Sequence, residues 1–380
     1  MKIVLVGTAY PLRGGIAHYI SLLYGALVKH GHDVHVVTFS RQYPKLLFPG
    51  KSQEEKGDAG APIASEQVID SIDPFSWTKA GKVIAGYEPD LIIFKFWIPF
   101  FAPAYGRMAR VAKKLLAKKG KKTKVVFIAD NVIPHENRIG DMALTNYAFK
   151  VVDDFIVQSD AVERDLKIVK PDARYIKLAH PLYNIFGERM DRSEARKLIG
   201  IPDDVPAILF FGYIRKYKGL DILLRAMPEI LKSLPELRLI VAGEYYSNEE
   251  EHKKLIEEMK IPAKNLLLAT DYIANDKVAA YFSAASAAVL PYRTATQSGI
   301  VQIAYNFDLP VIATDVGGLA EVVIDNVSGL ITKEATPELV AKDVIRFFSE
   351  NMEENLRAGV REEKKKYSWD RFVTGVESLI

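Results

Sequence analysis

The chain has 380 residues, 49% hydrophobic and 26% charged, with a formal net charge of +3. This is the balance of a soluble globular protein, and the length calls for two domains rather than one. No cysteine is present, which excludes disulfides, thiolate metal sites and a cysteine nucleophile.

Lys2–Gly7 reads as a buried strand, followed by a glycine-containing loop and an amphipathic helix from Ile16 to Lys29, closed by Gly31. Asp33–Phe39 is the next strand. The hydrophobic period switches from 2 to 3.6 and back, which predicts a βαβ opening and a parallel sheet. Residues 42–64 are polar and read as a long loop. Strands recur at 66–70, 91–96, 124–129 and 154–158, with a last one near Tyr175–Leu178. His180–Gly187 breaks the rhythm and reads as a linker. The pattern then restarts with a helix at Asp191–Ile199, a strand at Ala207–Phe211, a helix at Gly219–Leu231 and a strand at Leu237–Ala242. Further strands are expected near 265–269, 286–290 and 310–314. The boundary falls between domains 1–183 and 184–367. Met1–Thr8 is too short for a signal peptide, and no stretch approaches the roughly 18 apolar residues of a membrane span. A cytoplasmic protein is expected.

In parallel α/β sheets, ligands collect beyond the C-terminal ends of strands and at helix N-termini. Gly7-Thr-Ala-Tyr-Pro-Leu-Arg-Gly-Gly15 occupies such a place. It is not the G-x-G-x-x-G pattern, and no acidic residue closes the second strand as an NAD ribose would require. Its Gly14–Gly15 pair admits a diphosphate or substrate to backbone N–H groups, or is an ordinary tight turn. Phe211-Gly-Tyr-Ile-Arg-Lys-Tyr-Lys-Gly219 opens the second half in the same way. There Arg215 and Lys218 are placed to neutralise a leaving diphosphate. Leu290-Pro-Tyr-Arg-Thr-Ala-Thr-Gln-Ser-Gly-Ile300 is a third junction. Its Thr296, Gln297 and Ser298 can cap the following helix or hold phosphate and sugar oxygens. A strand and glycine pair, Leu309-Pro-Val-Ile-Ala-Thr-Asp-Val-Gly-Gly-Leu-Ala-Glu321, follows.

These pieces, with Gly243-Glu244 after a strand, resemble the family-4 retaining glycosyltransferases of the GT-B fold along essentially the whole chain. Asn131-Val-Ile-Pro-His-Glu136 and Thr296-Gln-Ser-Gly299 suggest a narrower subgroup. The resemblance implies two Rossmann-like parallel-sheet domains facing a cleft. Tyr367-Ser-Trp-Asp-Arg-Phe372 looks like that family's last helix, which crosses back, so 368–380 would join the first domain. It further implies metal-independent transfer of a hexose-type sugar, with retention, from a UDP- or GDP-linked donor to a glycan, glycolipid or lipid-linked acceptor. No cofactor is called for. Carried over residue by residue, Arg215, Lys218 and His135 are catalytic. Gly15, Gly212, Glu244, Tyr272, Gln297, Ser298 and Gly299 bind the donor, and Gly14 the acceptor. Asp130, His135 and Glu136 read as an acceptor-side cluster or as capping and turn chemistry around Pro134, and Trp97 joins the acceptor side from the aromatic run at the fourth strand's end. The chain departs from the family in three respects. Tyr213 rather than an arginine follows Gly212, with Arg215 two residues later. Asp130 stands where most members carry a histidine after the fifth strand, with His135 and Glu136 close behind. No Glu stands between Glu258 and Glu321, where most members carry two, eight residues apart. Gln297 and Ser298 are the neutral replacements.

Two features stand outside that reading. Phe94-Lys-Phe-Trp-Ile-Pro-Phe-Phe101 is an aromatic run at a strand end, either an acceptor pocket or a packed core edge. The basic run Arg107–Lys124 follows it. Stretch 94–124 is either a solvated face or a peripheral contact with an anionic membrane, such as the inner face of the plasma membrane. The second half is acidic and no recognition motif appears, so no nucleic-acid partner is expected. The missing glutamates keep open a non-catalytic partner subunit of the same fold. A nucleotide-sugar epimerase would need a base such as Asp130 or His135.

Overall fold

The computed structural model describes residues 1–44, 53–54, 63–133, 138–246 and 249–380. The chain divides into two compact units, Met1–Pro181 with Ser368–Ile380, and Leu182–Tyr367.

The first unit is built from β1 (Lys2–Val6), α1 (Gly15–Lys29), β2 (Asp33–Arg41), β3 (Ser65–Asp70), α2 (Pro74–Gly86), β4 (Leu91–Phe96), α3 (Ala102–Lys118), β5 (Lys124–Ala129), α4 (Asp141–Phe149), β6 (Asp154–Val157), α5 (Asp160–Val169) and β7 (Tyr175–Lys177). Among the described residues its sheet has seven strands in the order β3-β2-β1-β4-β5-β6-β7. All of its pairings are parallel. Covered on both faces by helices, the central strands are continuous apolar runs: every side chain of β4 is buried. Helix starts follow local chemistry. Asp73 accepts from the backbone N–H groups of Phe75 and Ser76 and is followed by Pro74, whose missing N–H costs nothing at that position.

The second unit comprises α6 (Arg192–Ile199), β8 (Ala207–Phe211), α7 (Leu220–Ser233), β9 (Arg238–Ala242), α8 (Glu249–Glu258), β10 (Leu266–Ala269), α9 (Asn275–Ala284), β11 (Ala287–Leu290), α10 (Gly299–Asn306), β12 (Val311–Thr314), α11 (Leu319–Val322), β13 (Gly329–Thr332), α12 (Pro337–Ser349) and α13 (Glu353–Glu363). Its sheet is again parallel, in the order β10-β9-β8-β11-β12-β13. The expected helix at Gly219–Leu231 is preceded by a 3-10 turn, Lys216–Lys218.

The closing helix α14 (Trp369–Glu377) belongs to the first unit. Ser368 caps it, Asp370 pairs with Lys29 at 3.1 Å, and Glu377 meets His32 at 2.9 Å. The Trp369 and Phe372 rings pack edge-on to Tyr19, with centroids 5.2 and 6.1 Å away. This is the crossing-back of the C-terminal helix that the resemblance implies.

In each sheet the chain order runs outward from one central pair, β1/β4 in the first and β8/β11 in the second. In sheets wound this way ligands occupy the crevice at the strands' C-terminal edge, where the loops leaving such a central pair part to opposite faces.

Candidate active site

In the second unit the crevice is bounded by the loops after β8, β9 and β11. Gly243, at φ 137°, has its N–H bonded to the Ala269 carbonyl, and Gly212 donates to the Ala242 carbonyl at 2.9 Å. A Cβ on Gly243 would lie 2.4 Å from the Gly212 carbonyl oxygen. Only glycine fits there, so the two strand ends lie against one another. Lys218, on the 3-10 turn, is buried, and its Nζ stands 3.0 Å from where a Gly212 Cβ would be. Burial, and secondarily the charge of Arg215, push its ammonium down to about 7. Arg215 is half-buried and lays its guanidinium 3.7 Å over the Tyr246 ring, a cation–π contact that fixes its direction.

The turn is fastened to the loop after β11. Arg293 makes a two-point bond to Asp221, at 2.8 and 2.6 Å, and also donates to the Lys216 carbonyl at 2.8 Å. Its backbone N–H donates to the Tyr217 carbonyl at 2.7 Å. Gly219, at φ 70°, leaves room for the Pro291 carbonyl, which a Cβ would approach to 2.0 Å. Ser298 caps α10 through the Ile300 N–H at 3.3 Å. A Cβ on Gly299, its first residue, would sit 3.1 Å from the Tyr183 ring. Thus Gly212, Lys218, Ser298 and Gly299 all lie on the loops leaving β8 and β11. Glu244 is buried on the β9 loop, and Tyr272 is half-buried on the β10 loop. Gln302, buried on α10, has an Oε1 without a hydrogen-bond partner. A buried amide oxygen left without a donor is the exception in folded proteins.

In the first unit Gly14 precedes α1 at φ 112° with open space on its side-chain side, and Gly15 begins the helix. Asp130, just after β5, is buried and paired with the fully buried Lys95, Nζ to Oδ1 2.5 Å. Lys95 also donates to Gln158 Oε1 at 3.1 Å and sits 3.6 Å from the Tyr19 ring centroid. Gln158 Nε2 donates to the Tyr19 hydroxyl at 3.1 Å, and the His180 ring packs on Tyr19 at 5.2 Å. Burial lowers the Lys95 ammonium, and Asp130 partly offsets this. Burial, then the Lys95 charge, hold His180 down to about 3, so it is neutral at physiological pH.

Trp97 is packed into the aromatic core. It is 4.5 Å from Phe101 between ring centroids, and its Nε1–H donates to the Tyr43 hydroxyl at 3.3 Å. His135 and Glu136 lie outside the described residues. Among the described residues, no group of three or more His, Asp or Glu side chains is placed to hold a metal ion. Lys95, Gln158 and Tyr19 were not singled out by the sequence reading, nor was Gln302. A lysine within an apolar strand gives no periodic signal, and Gln302 differs from a surface glutamine only in burial.

Residues 191–367 match the family described as Glycosyl transferases group 1. A D-inositol 3-phosphate glycosyltransferase of Nocardioides is 30% identical over 214 residues, covering 52% of this chain and 46% of that protein. The chain thus spans about half the length of that curated relative. Among solved structures, sucrose-phosphate synthase from Thermosynechococcus elongatus superposes with a TM-score of 0.76 at 17% identity, covering 100% of this chain and 98% of that one. HepE of Anabaena, solved in complex with UDP, gives a TM-score of 0.74 at 16% identity, covering 100% of each chain. The fold is that of the GT-B glycosyltransferases, two parallel-sheet α/β domains.

Proposed function

We propose that the chain transfers a hexose-type sugar, with retention of anomeric configuration, from a UDP- or GDP-linked donor to a glycan, glycolipid or lipid-linked acceptor. The observation that carries this reading is Lys218: a buried cation beside a glycine cradle at the β8/β11 crevice, with Arg215 three residues before it. A cation taken out of water without a carboxylate partner is costly, and an anionic ligand in the crevice relieves that cost. The diphosphate of a nucleotide sugar has the right charge. As the sugar–phosphate bond breaks, charge grows on the diphosphate, and Lys218, Arg215 and the N-terminus of α10 act on it preorganised. Departure and attack take place on the same face of the sugar, so positioning and charge stabilisation supply the catalysis.

In place of the glutamate pair common in the family, Gln297, Ser298 and Gln302 offer neutral groups to the sugar and ribose hydroxyls. The Gln302 Oε1 suits a ribose hydroxyl as donor. On the first unit, the acceptor side is assigned to Gly14 and Asp130. The Asp130 carboxylate, held by Lys95, orients an acceptor hydroxyl. The absence of cysteine fits a cytoplasmic setting, where nucleotide sugars are made.

Calorimetric titration with UDP, GDP and their glucose and mannose conjugates tests the reading. Binding of one nucleotide sugar, lost in Arg215→Ala and Lys218→Ala, is expected. Absence of binding by all of them at millimolar concentration sinks it.

A further inference from the structure

The basic run after β4 is not a uniform cationic face. Lys113 pairs with Asp153 at 2.7 Å, Lys119 with Glu88 at 2.5 Å, Lys121 with Asp90 at 3.1 Å and Lys124 with Asp154 at 3.3 Å. The cations left over lie along a different line. Arg107, Arg110, Lys114 and Lys118 recur at helical spacing on one face of α3, and Lys79 and Lys82 stand one turn apart on α2. Lys79, Lys82 and Arg107 are exposed, and none has an ion-pair partner among the described residues.

These three cations surround an open groove of about 610 Å³ whose other walls are Pro74, Phe75, Trp77, Pro103 and Tyr147. Phe75, in the first turn of α2, is 87% exposed. Ile72 just before it and Leu144 and Tyr147 on α4 are also exposed, as are Ile139 and Met142 at the start of that helix. Arg110 stacks on the Tyr147 ring at 3.9 Å, which keeps that ring in place at the groove's rim. An exposed aromatic among apolar neighbours, ringed by unpaired cations, differs from the scattered surface hydrophobics of an ordinary soluble domain. Cations meet lipid phosphates while the rings enter the acyl boundary.

We propose that this groove, formed by the N-terminal turns of α2 and α3 with α4, is the docking surface for an anionic phospholipid bilayer. A peptide partner would leave the unpaired cations to be matched by its own acidic groups. A bilayer of anionic lipids supplies both the apolar interior and the negative surface at once. The groove lies at helix N-termini, and therefore along the C-terminal edge of the first sheet, the edge from which the Gly14 and Asp130 loops also emerge. Docking there brings that edge to the lipid surface. This consequence rests on the acceptor reading above; the docking itself does not.

The test is co-flotation of the full chain with vesicles of phosphatidylglycerol mixed into phosphatidylcholine, against vesicles of phosphatidylcholine alone. Three proteins are compared: the unaltered chain, Phe75→Ser, and the combined Lys79→Gln, Lys82→Gln, Arg107→Gln variant. Binding to the anionic vesicles is expected. It should fall about tenfold on loss of the ring and roughly fivefold for each charge removed. Matching thermal melting curves confirm that the variants stay folded, since all four positions are exposed. Failure to bind anionic vesicles, equal binding to neutral ones, or unchanged binding by both variants overturns the proposal. UDP-glucose titration of the same preparations reads the donor site separately, so failure of one reading is distinguishable from failure of the other.

Discussion

At the scale of single residues, the chemistry turns on charges taken out of water. Lys218 titrates in the folded chain near 7 and in the unfolded chain near its ordinary 10.5. Between those values the unfolded chain holds the extra proton, so folding stability from this group rises with pH across that window. The cost of the buried charge is fully present below pH 7, up to a few kcal/mol. A Lys218→Met variant should lose that slope in denaturant titrations from pH 7 to pH 10. Donor binding has the opposite sign. A bound diphosphate favours the charged amine, so UDP-glucose binding should take up a proton and weaken as pH rises above 7. Calorimetry in buffers of different ionisation enthalpy measures the uptake. Gly243 makes a steric prediction. Gly243→Ala would drive its methyl into the Gly212 carbonyl at φ 137°, and a loss on the order of 2–4 kcal/mol is expected from chemical denaturation. For Gln302→Leu, which keeps the volume and removes the orphaned oxygen, stability should hold or rise while donor affinity falls by roughly tenfold, the worth of one hydrogen bond to a ligand hydroxyl.

At the scale of elements, the strands were readable because a sheet buried on both faces demands uninterrupted Val, Ile, Leu and Phe. Asp73, Asp191 and Ser298 cap the helices that follow them, and of the three Ser298 was read from the sequence as a capping residue. The glycine loops after β8 and β9 stood out for a related reason: close backbone approach at Gly219 and Gly243 excludes any other residue, whereas Gly14 after β1 has open space and is set apart by its positive φ. What stayed hidden depends on partners distant in sequence. Arg293 and Asp221 lie 72 positions apart, and nothing local in either one signals that they fasten two loops. Lys95 is an interruption in LIIFKF until Asp130 and Gln158 are seen beside it. In the basic run, carboxylates at 88, 90, 153 and 154 answer four of the lysines, which composition alone cannot reveal. The closing helix offers a direct check. Phe372 is buried in the first unit, so Phe372→Ala should cost about 3–5 kcal/mol. Limited proteolysis should then cut within residues 1–181 first.

At the scale of the whole molecule, acid sensitivity follows from two neutral histidines, the buried His180 and the half-buried His18. His180 is held down to about 3 and His18 to about 4, both by burial. An unfolded chain binds protons on both from about pH 6.5 downward while the folded chain does not, so stability is lost progressively as pH falls from 6.5 toward 3. Replacing His180 with Phe should shift the acid midpoint downward, followed by circular dichroism. Charge handling at the crevice gives a further expectation: with Lys218 and Arg215 opposing the diphosphate, EDTA should leave UDP-glucose affinity unchanged in calorimetry.

The return of Ser368–Ile380 to the first unit also bears on how the molecule is made. Tyr19 is synthesised before the second unit begins, yet Trp369 and Phe372, the rings that pack on it, are synthesised only after every residue of that unit. The second unit has its whole sequence contiguous and is free to fold while translation continues. The first must wait with one side of α1 uncovered. A fault within residues 368–380 therefore strikes the half of the protein translated first.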